Sequence, residues 1–567
     1  PIVFYIDSLF PSSWHDAIRK GALRWNKAFE QIGFSDAIQV KDFPKDDPSF
    51  DADNLKYSCI RYVPSEVQNA QGPSWVDPTT GEIINASVLI HNNITALISD
   101  WLFVQTAQVD ERVRSGKIPN NILMDAMEYV VAHEVGHCLG LMHNMAASAA
   151  YSTDSLRSIS FTRQYGTTPS IMDYARFNYV AQPSDKGVEL MPPYLGVYDY
   201  FAIKWLYSYF PDKQNFGEEA PILESWIDSK VGDRMYRYGR QQVASRYDPS
   251  AIEEDLGDDP ILSGTYGILN LKYIVDSLDT WVVADPFRER KIALYKQINR
   301  QYYRYLRNVM YNIGGIYLYD TKDNTAAKKF VPVDKGRQQA SVKWIINELK
   351  NSQWINNKKL ISKLSLESHQ NPFLMVDICK DFNNLNQKII LSAHLSNNPY
   401  TLADYYNDLY TELWENVVGK EELSEPLRIL QFEMLSYMNK GLMLSGGEKL
   451  GITDSNINSR IDNNYRPSLQ EIMMYNLDES GLTSQYYDVM EKEQNRDSAS
   501  NFGYGYGWQQ TVDVSAIDES SAYYIELVKK IENLLVSRMG IISPKEKKHY
   551  EALLFAMNQM LGKSQLK

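Results

Sequence analysis

Apolar residues in the first 140 positions follow two different periods, one typical of strands and the other typical of helices. The segments predicted as strands are residues 1–7, 37–43, 57–63 and 82–91, and those predicted as helices are 14–32, 97–108 and 121–139. The last of these helices is apolar on most of its sides, which indicates that it is buried. Strands that alternate with helices predict a sheet covered by helices.

Helical patterns dominate the remainder of the chain, because strand signals become sparse after about residue 180. The later predicted helices are residues 291–312, 340–349, 402–417, 427–442, 522–537 and 544–562. The glycine pair Gly446–Gly447 and the polar stretch 494–507 predict breaks between helices. We therefore expect an α+β region over residues 1–275 and a mainly helical region over 276–567, with a candidate division near residue 395.

Composition and charge exclude several classes of protein. Among the 567 residues, 44% are hydrophobic and 23% are charged, which are ordinary values for a globular protein. The net charge of −13 argues against a protein that binds nucleic acid through an excess of basic residues. No apolar stretch approaches the roughly 20 residues of a membrane-spanning helix. The 3 cysteines cannot form a disulfide framework.

Histidine is scarce, yet 3 of the 8 histidines lie between residues 133 and 143, in the pattern H-E-x-x-H-x-x-G-x-x-H. Residues four apart share a face of a helix, so His133 and His137 can present two imidazoles to one metal ion. Gly140 can adopt a positive φ, with which the chain leaves the helix and returns His143 as a third ligand. Three neutral nitrogens with a fourth position open are typical of catalytic zinc.

Glu134 follows the first histidine, so its carboxylate projects beside the metal and not onto it. That position suits a general base that takes a proton from a water activated by zinc. A lone H-E-x-x-H can arise by chance, but the third histidine and the glycine between them favour a zinc site.

With this motif the chain resembles the metzincin metallopeptidases, whose extended consensus it matches at every fixed position. Ser170-Ile171-Met172-Asp173-Tyr174 matches the Met-turn of that superfamily. The resemblance implies that Met172 forms the turn beneath the metal and that the Tyr174 phenol stabilises the tetrahedral intermediate. The alternative is that both are ordinary packing residues.

The layout is similar to the bacterial Met-zincin family, found in Bacteroidetes, over about the first 275 residues. The stretches that carry this similarity are residues 14–34, 72–89, 131–143, 170–174, 196–204 and 255–259. One departure from other metzincin branches is Asn144, which follows the third histidine. No substrate specificity can therefore be transferred from those branches.

The resemblance also implies a twisted mixed sheet in which strand 82–91 is the antiparallel edge above the active-site cleft. An edge strand has unpaired backbone groups that an extended peptide can complete. An edge covered by its own loop is the alternative. The residues expected to bind the substrate backbone are Ile84, Asn85, Ala86, Ser87, Val88 and Leu89.

Residues 245–267 are predicted to form an acidic loop, and the run 253–259 contains five carboxylates. Oxygen-rich clusters suit Ca²⁺, but this run lacks the residue order of a known calcium loop. A solvated acidic turn is the favoured interpretation. The expected cofactor is one Zn²⁺ ion, and Ca²⁺ is a weaker candidate.

The sequence thus predicts a zinc metalloendopeptidase that acts on protein or peptide substrates and does not bind nucleic acid. Its oligomeric state stays open. One alternative is a gluzincin-like aminopeptidase with Glu189 as third ligand, and another is a metzincin-scaffold protein whose helical half binds a glycan or a protein. The chain begins within a predicted strand, from which we expect that an upstream segment was removed. The resemblance implies a secreted, periplasmic or cell-surface location.

Overall fold

The computed structural model describes residues 1–213, 215–242, 246–319, 321–322, 328–364, 377–379, 381–382, 385–449, 520–540 and 542–561. These residues form two compact units. The first contains the described residues of 1–244 and 250–297, and the second contains those of 245–249 and those after 297. The predicted loop at 494–507 lies outside the described residues.

The first unit contains a central mixed sheet and a separate pair of strands. Its strands are β1 (Ile2–Ile6), β2 (Ile38–Asp42), β3 (Ser58–Val63), β4 (Ala70–Gln71), β5 (Ser74–Val76), β6 (Ile83–Ala86) and β7 (Val88–His91). The sheet has the order β2-β1-β3-β7-β4, in which the first four are parallel and β4 is the antiparallel edge. Strands β5 and β6 pair only with each other.

The prediction that residues 82–91 form the antiparallel edge strand is wrong. This segment is two strands separated at Ser87, whose backbone N–H donates to the carbonyl of Pro73. β6 pairs with β5, whereas β7 has β3 on one side and β4 on the other. Alternating apolar residues indicate which face of a strand is buried, but they do not indicate which strands are its neighbours.

Helices cover this sheet. Those of the first unit are α1 (His15–Leu23), α2 (Asn26–Glu30), α3 (Ile94–Thr106), α4 (Asn120–Cys138), α5 (Ile159–Tyr165), α6 (Val197–Tyr207), α7 (Phe216–Asp228), α8 (Pro260–Trp281) and the first part of α9 (Glu289–Met310). α4 is buried along most of its length, as its apolar pattern predicts. The segment after α1 is attached to α4 by two contacts. Arg24 forms an ion pair of 2.9 Å with Glu128, and the Trp25 indole donates a 2.8 Å hydrogen bond to the Ala132 carbonyl.

The predicted acidic loop 245–267 is only partly a loop, because α8 begins at Pro260. Asp259 caps this helix by accepting hydrogen bonds from the backbone N–H groups of Ile261 and Leu262. The N–H groups of the first helical turn have no acceptor within the helix, so a proline at this position loses no hydrogen bond. Asp259-Pro260 is therefore a helix start here and not a turn.

The second unit is helical apart from a hairpin of β8 (Ile316–Leu318) and β9 (Phe330–Pro332). Its described helices are the larger, C-terminal part of α9, then α10 (Lys335–Lys350), α11 (Lys358–Ile361), α12 (Asn386–His394), α13 (Leu402–Gly419), α14 (Glu425–Lys449), α15 (Ser520–Arg538) and α16 (Pro544–Met560). The predicted break at Gly446–Gly447 is wrong, because both residues lie inside α14. No helix among the described residues combines the length and apolarity that crossing a bilayer requires.

The predicted α+β class, with a mixed sheet followed by a helical region, is confirmed. The predicted boundary at residue 275 falls within α8, and the compact units divide after residue 297. The assignment of residues 1–275 and 276–567 as domains stays a prediction.

Candidate metal centre

Helix α4 places His133 and His137 one turn apart near its C-terminal end. Gly140 follows with a φ of +87°, a left-handed conformation that L side chains rarely adopt. The backbone N–H of Leu141 then returns to the carbonyl of Gly136 at 3.0 Å, which closes the end of the helix. This reversal brings His143 back toward the other two imidazoles.

The three imidazoles converge through their Nε2 atoms. The Nε2 atom of His143 lies 3.2 Å from that of His133 and 3.0 Å from that of His137. Nitrogens bound tetrahedrally to one zinc ion at about 2.0–2.1 Å lie roughly 3.3 Å apart, so the spacing fits zinc. Among the described residues, this is the only such group of three His, Cys, Asp or Glu side chains. Glu189, the alternative third ligand, is exposed and does not belong to the group.

The other ring nitrogen of each imidazole, Nδ1, lies within hydrogen-bonding distance of an oxygen atom. His133 Nδ1 lies 2.6 Å from the Ile171 carbonyl, and His137 Nδ1 lies 2.9 Å from the Leu141 carbonyl. Carbonyl oxygens only accept hydrogen bonds, so Nδ1 carries the proton and Nε2 keeps a lone pair for a metal.

The environment also keeps the histidines uncharged. Burial lowers the pKa of His137 to about 4. Burial, together with the neighbouring imidazoles, holds the pKa values of His133 and His143 well below the ordinary value. All three are therefore neutral near pH 7, which is the form that binds a metal ion.

Met172 is fully buried and lies directly against α4 between the two helical histidines. A Cβ atom added to Gly136 would lie 2.4 Å from the Met172 sulfur. The preceding residue, Ile171, supplies the carbonyl that His133 contacts. The segment matched to the Met-turn therefore packs beneath the histidines.

Asp199, in the first turn of α6, fixes this segment. Its carboxylate accepts hydrogen bonds from the Ser170 hydroxyl at 2.7 Å, the Ile171 N–H at 2.9 Å and the Gly196 N–H at 2.7 Å. Burial raises the pKa of this carboxyl to about 7, although the three donors favour its charged form.

Tyr174 lies beside two of the histidines, His133 and His143. Its ring centroid is 4.5 Å from that of His143 and 5.4 Å from that of His133. The guanidinium of Arg176 lies 4.2 Å from the Tyr174 ring and pairs with Glu254 at 3.5 Å. The phenol is thus adjacent to both the histidines and a cation.

Glu134 is buried next to His133 in the chain, and burial raises the pKa of its carboxyl to about 8. The positive charge of Arg176 lowers this pKa in part. A dication held by the histidines would act in the same direction.

A family model described as Met-zincin matches residues 115–421, which is more than half of the chain. The chain belongs to the Met-zincin family. No curated protein and no solved structure matches it. The match covers all three histidines and extends beyond the 275 residues over which the sequence suggested a resemblance. Membership points to a zinc metallopeptidase, and the three-histidine centre fits such a site.

Sequence patterns did not indicate two residues that complete this Met-zincin centre. Gln241 places its Oε1 atom 2.8 Å from His143 Nδ1, from 98 positions further along the chain. Glu253 in turn accepts a 2.9 Å hydrogen bond from the Gln241 amide. No local periodicity or spacing links these residues to the zinc motif, so only the fold brings them together.

Asn144, the residue in which the sequence departs from other metzincin branches, is fully buried. Its side chain donates to the Arg237 carbonyl and accepts from the Gly239 N–H, both at 2.9 Å. Its own N–H donates to the Met172 carbonyl at 3.0 Å. Asn144 therefore joins the Met172 segment to the segment that carries Gln241.

The residues predicted to bind the substrate backbone are divided between two strands. Val88 and Leu89 lie in β7, in the interior of the sheet, whereas Ile84, Asn85 and Ala86 lie in β6. The Asn85 amide donates to two carbonyls of its own chain, and Val88 is fully buried. Their role in substrate binding stays a prediction.

The expectation of a solvated acidic turn at 253–259 is wrong for its first half, because Glu253, Glu254 and Asp255 are buried. The Ser148 hydroxyl donates to Asp255 at 2.6 Å, and its N–H donates to Asp173 at 2.6 Å. Each contact replaces water at one oxygen of a buried carboxyl group, which charge patterning alone does not reveal. The described residues show no group of three acidic side chains close enough to hold Ca²⁺.

Proposed function

We propose that this Met-zincin is a zinc-dependent endopeptidase that hydrolyses peptide bonds within extended chains. The observation that carries the proposal is the convergence of three neutral imidazoles beside the buried carboxyl of Glu134. His133, His137 and His143 would hold the ion. When bound, zinc supplies a Lewis acid that polarises the scissile carbonyl and lowers the pKa of water.

The protein's own groups move the protons. Glu134 accepts a proton from the attacking water and passes it to the leaving amine. Burial strengthens this carboxylate as a base, and the charge of an ion held by the histidines would keep it ionised until it accepts the proton. The Tyr174 hydroxyl donates to the oxygen on which negative charge develops, a role supported by the position of its ring beside His133 and His143.

The sheet edge suited to an extended substrate is β4, because residues 84–89 do not form the edge of the central sheet. β4 ends the sheet, so one side of it has no strand neighbour among the described residues. The chain directly after β4 reaches the zinc helix, since a Cβ on Gly72 would lie 2.2 Å from the Glu134 carbonyl oxygen. We propose that substrate pairs along this edge, close to the backbone of the helix that carries Glu134.

The test compares wild type with Glu134→Gln on internally quenched peptides whose two ends are blocked. We expect kcat/KM to fall about 10²–10⁴-fold, the usual contribution of a general base, while zinc still binds. Wild-type cleavage of blocked peptides would favour an endopeptidase over an aminopeptidase. Unchanged hydrolysis by Glu134→Gln would contradict the proposed mechanism.

We also propose that the protein acts outside the cytoplasm, in secreted, periplasmic or surface-attached form. The family resemblance supports this location. Cell fractionation with an antibody to the protein would test it, and recovery with cytoplasmic markers alone would contradict it.

A further inference from the structure

The third histidine is held differently from the other two. His133 and His137 direct Nδ1 at backbone carbonyls, which can only accept a hydrogen bond. His143 directs Nδ1 at the side-chain amide of Gln241. An amide can turn by half a rotation and present its NH₂ group in place of its oxygen.

The orientation of this amide decides whether His143 can bind a metal. With Oε1 toward the ring, Nδ1 carries the proton and Nε2 has a free lone pair. With NH₂ toward the ring, Nδ1 would have to accept the hydrogen bond. The proton of the neutral imidazole would then lie on Nε2, and the ligand atom would be lost.

Glu253 fixes the orientation. Its Oε1 atom lies 2.9 Å from Gln241 Nε2. A carboxylate accepts and does not donate, so the NH₂ group of the amide faces Glu253 and the oxygen faces His143. Glu253 is buried, with 6% of its surface exposed, which limits competition from water for this hydrogen bond.

The backbone that carries Gln241 is attached to the loop that carries His143. The Met145 N–H donates to the Gly239 carbonyl at 2.8 Å, and the Gly239 N–H donates to the Asn144 side chain at 2.9 Å. A Cβ on Gly239 would lie 2.5 Å from the Ala146 Cβ, so the two segments are in close contact. The distance between Gln241 and His143 is therefore set by packing.

We infer that Gln241 and Glu253 are a positioning pair that fixes the tautomer and orientation of His143 and thereby sets the affinity of the metal centre. The inference rests on the proposed function for the identity of the ion as zinc. Groups that hydrogen-bond to metal-ligating histidines typically change metal affinity about 10–100-fold when they are removed.

The first test compares Gln241→Met with Gln242→Met. Gln242 is the matched control, because its amide donates to the Ala251 carbonyl at 2.8 Å in the same segment. The zinc dissociation constant is measured by competition with a chromogenic chelator, and the unfolding temperature is measured without metal. We expect Gln241→Met to bind zinc about 10–100-fold more weakly than the control. The metal-free unfolding temperatures should be similar.

The second test exchanges the two groups. Gln241→Glu together with Glu253→Gln keeps an acceptor toward His143 Nδ1 and a donor from position 253 to position 241. This exchanged pair should bind zinc within a few-fold of wild type, and Co²⁺ bound to it should show the wild-type visible absorption spectrum. Gln241→Glu alone places two carboxylates side by side and should bind more weakly than the exchanged pair.

Equal zinc affinity of Gln241→Met and Gln242→Met would overturn the inference. It would also be overturned if the exchanged pair bound zinc no better than Gln241→Glu, a comparison that stands even if Gln241→Met does not fold. Both assays use metal without peptide. A wild-type protein that bound zinc but cut no peptide would overturn the proposed function and leave this inference standing.

Discussion

Gly136 and Met172 determine how closely α4 packs against the Met172 segment. Gly136 lies on α4 between His133 and His137, and Met172 fills the space directly against it. The absence of a side chain at position 136 lets the sulfur approach the helix backbone. The sequence motif leaves position 136 variable, so the requirement for glycine there comes from Met172 and not from the metal.

Gly136→Ala should destabilise the protein. The added Cβ would lie 2.4 Å from the Met172 sulfur and 2.8 Å from the Trp25 ring. Overpacking typically costs about 1–3 kcal/mol, and contacts this short fall in the upper part of that range, above the gain of roughly 1 kcal/mol from replacing glycine in a helix. Urea unfolding with and without zinc measures the change, and we expect weaker zinc binding as well.

Gly217→Ala in α7 is the control for this substitution. Within 4 Å its Cβ would meet only the Asn215 side chain, at 3.1 Å. Equal stability of the two variants would show that Met172 can move away from the helix without cost.

At the level of elements, the beginning of α6 determines where the Met172 segment lies. Asp199 belongs to the first turn of this helix and accepts hydrogen bonds from both the helix start and residues 170–171. A Cβ on Gly196 would lie 1.9 Å from the Pro169 carbonyl oxygen, so the two segments touch through backbone. The start of α6 therefore holds the Met172 segment in place through hydrogen bonds and backbone contact.

Asp199→Ala should lower the free energy of unfolding by about 3 kcal/mol, because it leaves two buried N–H groups and a hydroxyl without their acceptor. Asp199→Asn is the matched control, since its amide oxygen can still accept from the two backbone N–H groups. We expect it to lose less than half as much in urea titrations. Equal losses would mean that the negative charge, and not the hydrogen bonds, provides the stability.

The predicted elements differ in how well local sequence defines them. The helix predicted over 121–139 is found at Asn120–Cys138, because an apolar segment of this length is too long for a strand and favours a buried helix. Residues 82–91 give an equally apolar pattern, yet they form two strands with different partners. An apolar pattern is therefore a better guide to a helix, whose hydrogen bonds lie within the element, than to a strand, whose hydrogen bonds depend on its neighbours.

At the level of the whole molecule, zinc should stabilise the fold. An ion that binds only the folded state adds about 2.7 kcal/mol when its concentration is 100 times the dissociation constant. Chelation should therefore lower the unfolding temperature, and readdition of zinc should restore it. His143→Ala, which removes one member of the cluster, should show little response to either treatment. A full response in that variant would place the stabilising ion elsewhere.

The second unit should lose stability as the pH falls. Burial, together with the charge of Arg428, lowers the pKa of His549 to about 4, and its Nε2 lies 2.8 Å from the Gln431 side chain. A folded-state pKa below the unfolded value of about 6.5 contributes stability above pH 6.5 that is lost as the pH falls toward 4.

His549→Gln should therefore flatten the dependence of the unfolding midpoint on pH between 7 and 4.5. His394→Gln, which changes an exposed histidine of the same unit, is the control and should keep the wild-type dependence. An unchanged slope in His549→Gln would assign the acid sensitivity to other groups.

Local sequence was sufficient to predict the features of this protein that depend on residues close together in the chain. His133, His137 and His143 are defined by helical spacing and one glycine, and the family was apparent from that motif and from Met172. The folded structure was needed to show that β4 is the sheet edge and that Asp199 holds the Met172 segment. It was also needed to show that Gln241 contacts Nδ1 of His143 and that Glu253 contacts Gln241. These contacts join residues that are distant in sequence, and no local preference encodes them because packing of the whole unit brings them together.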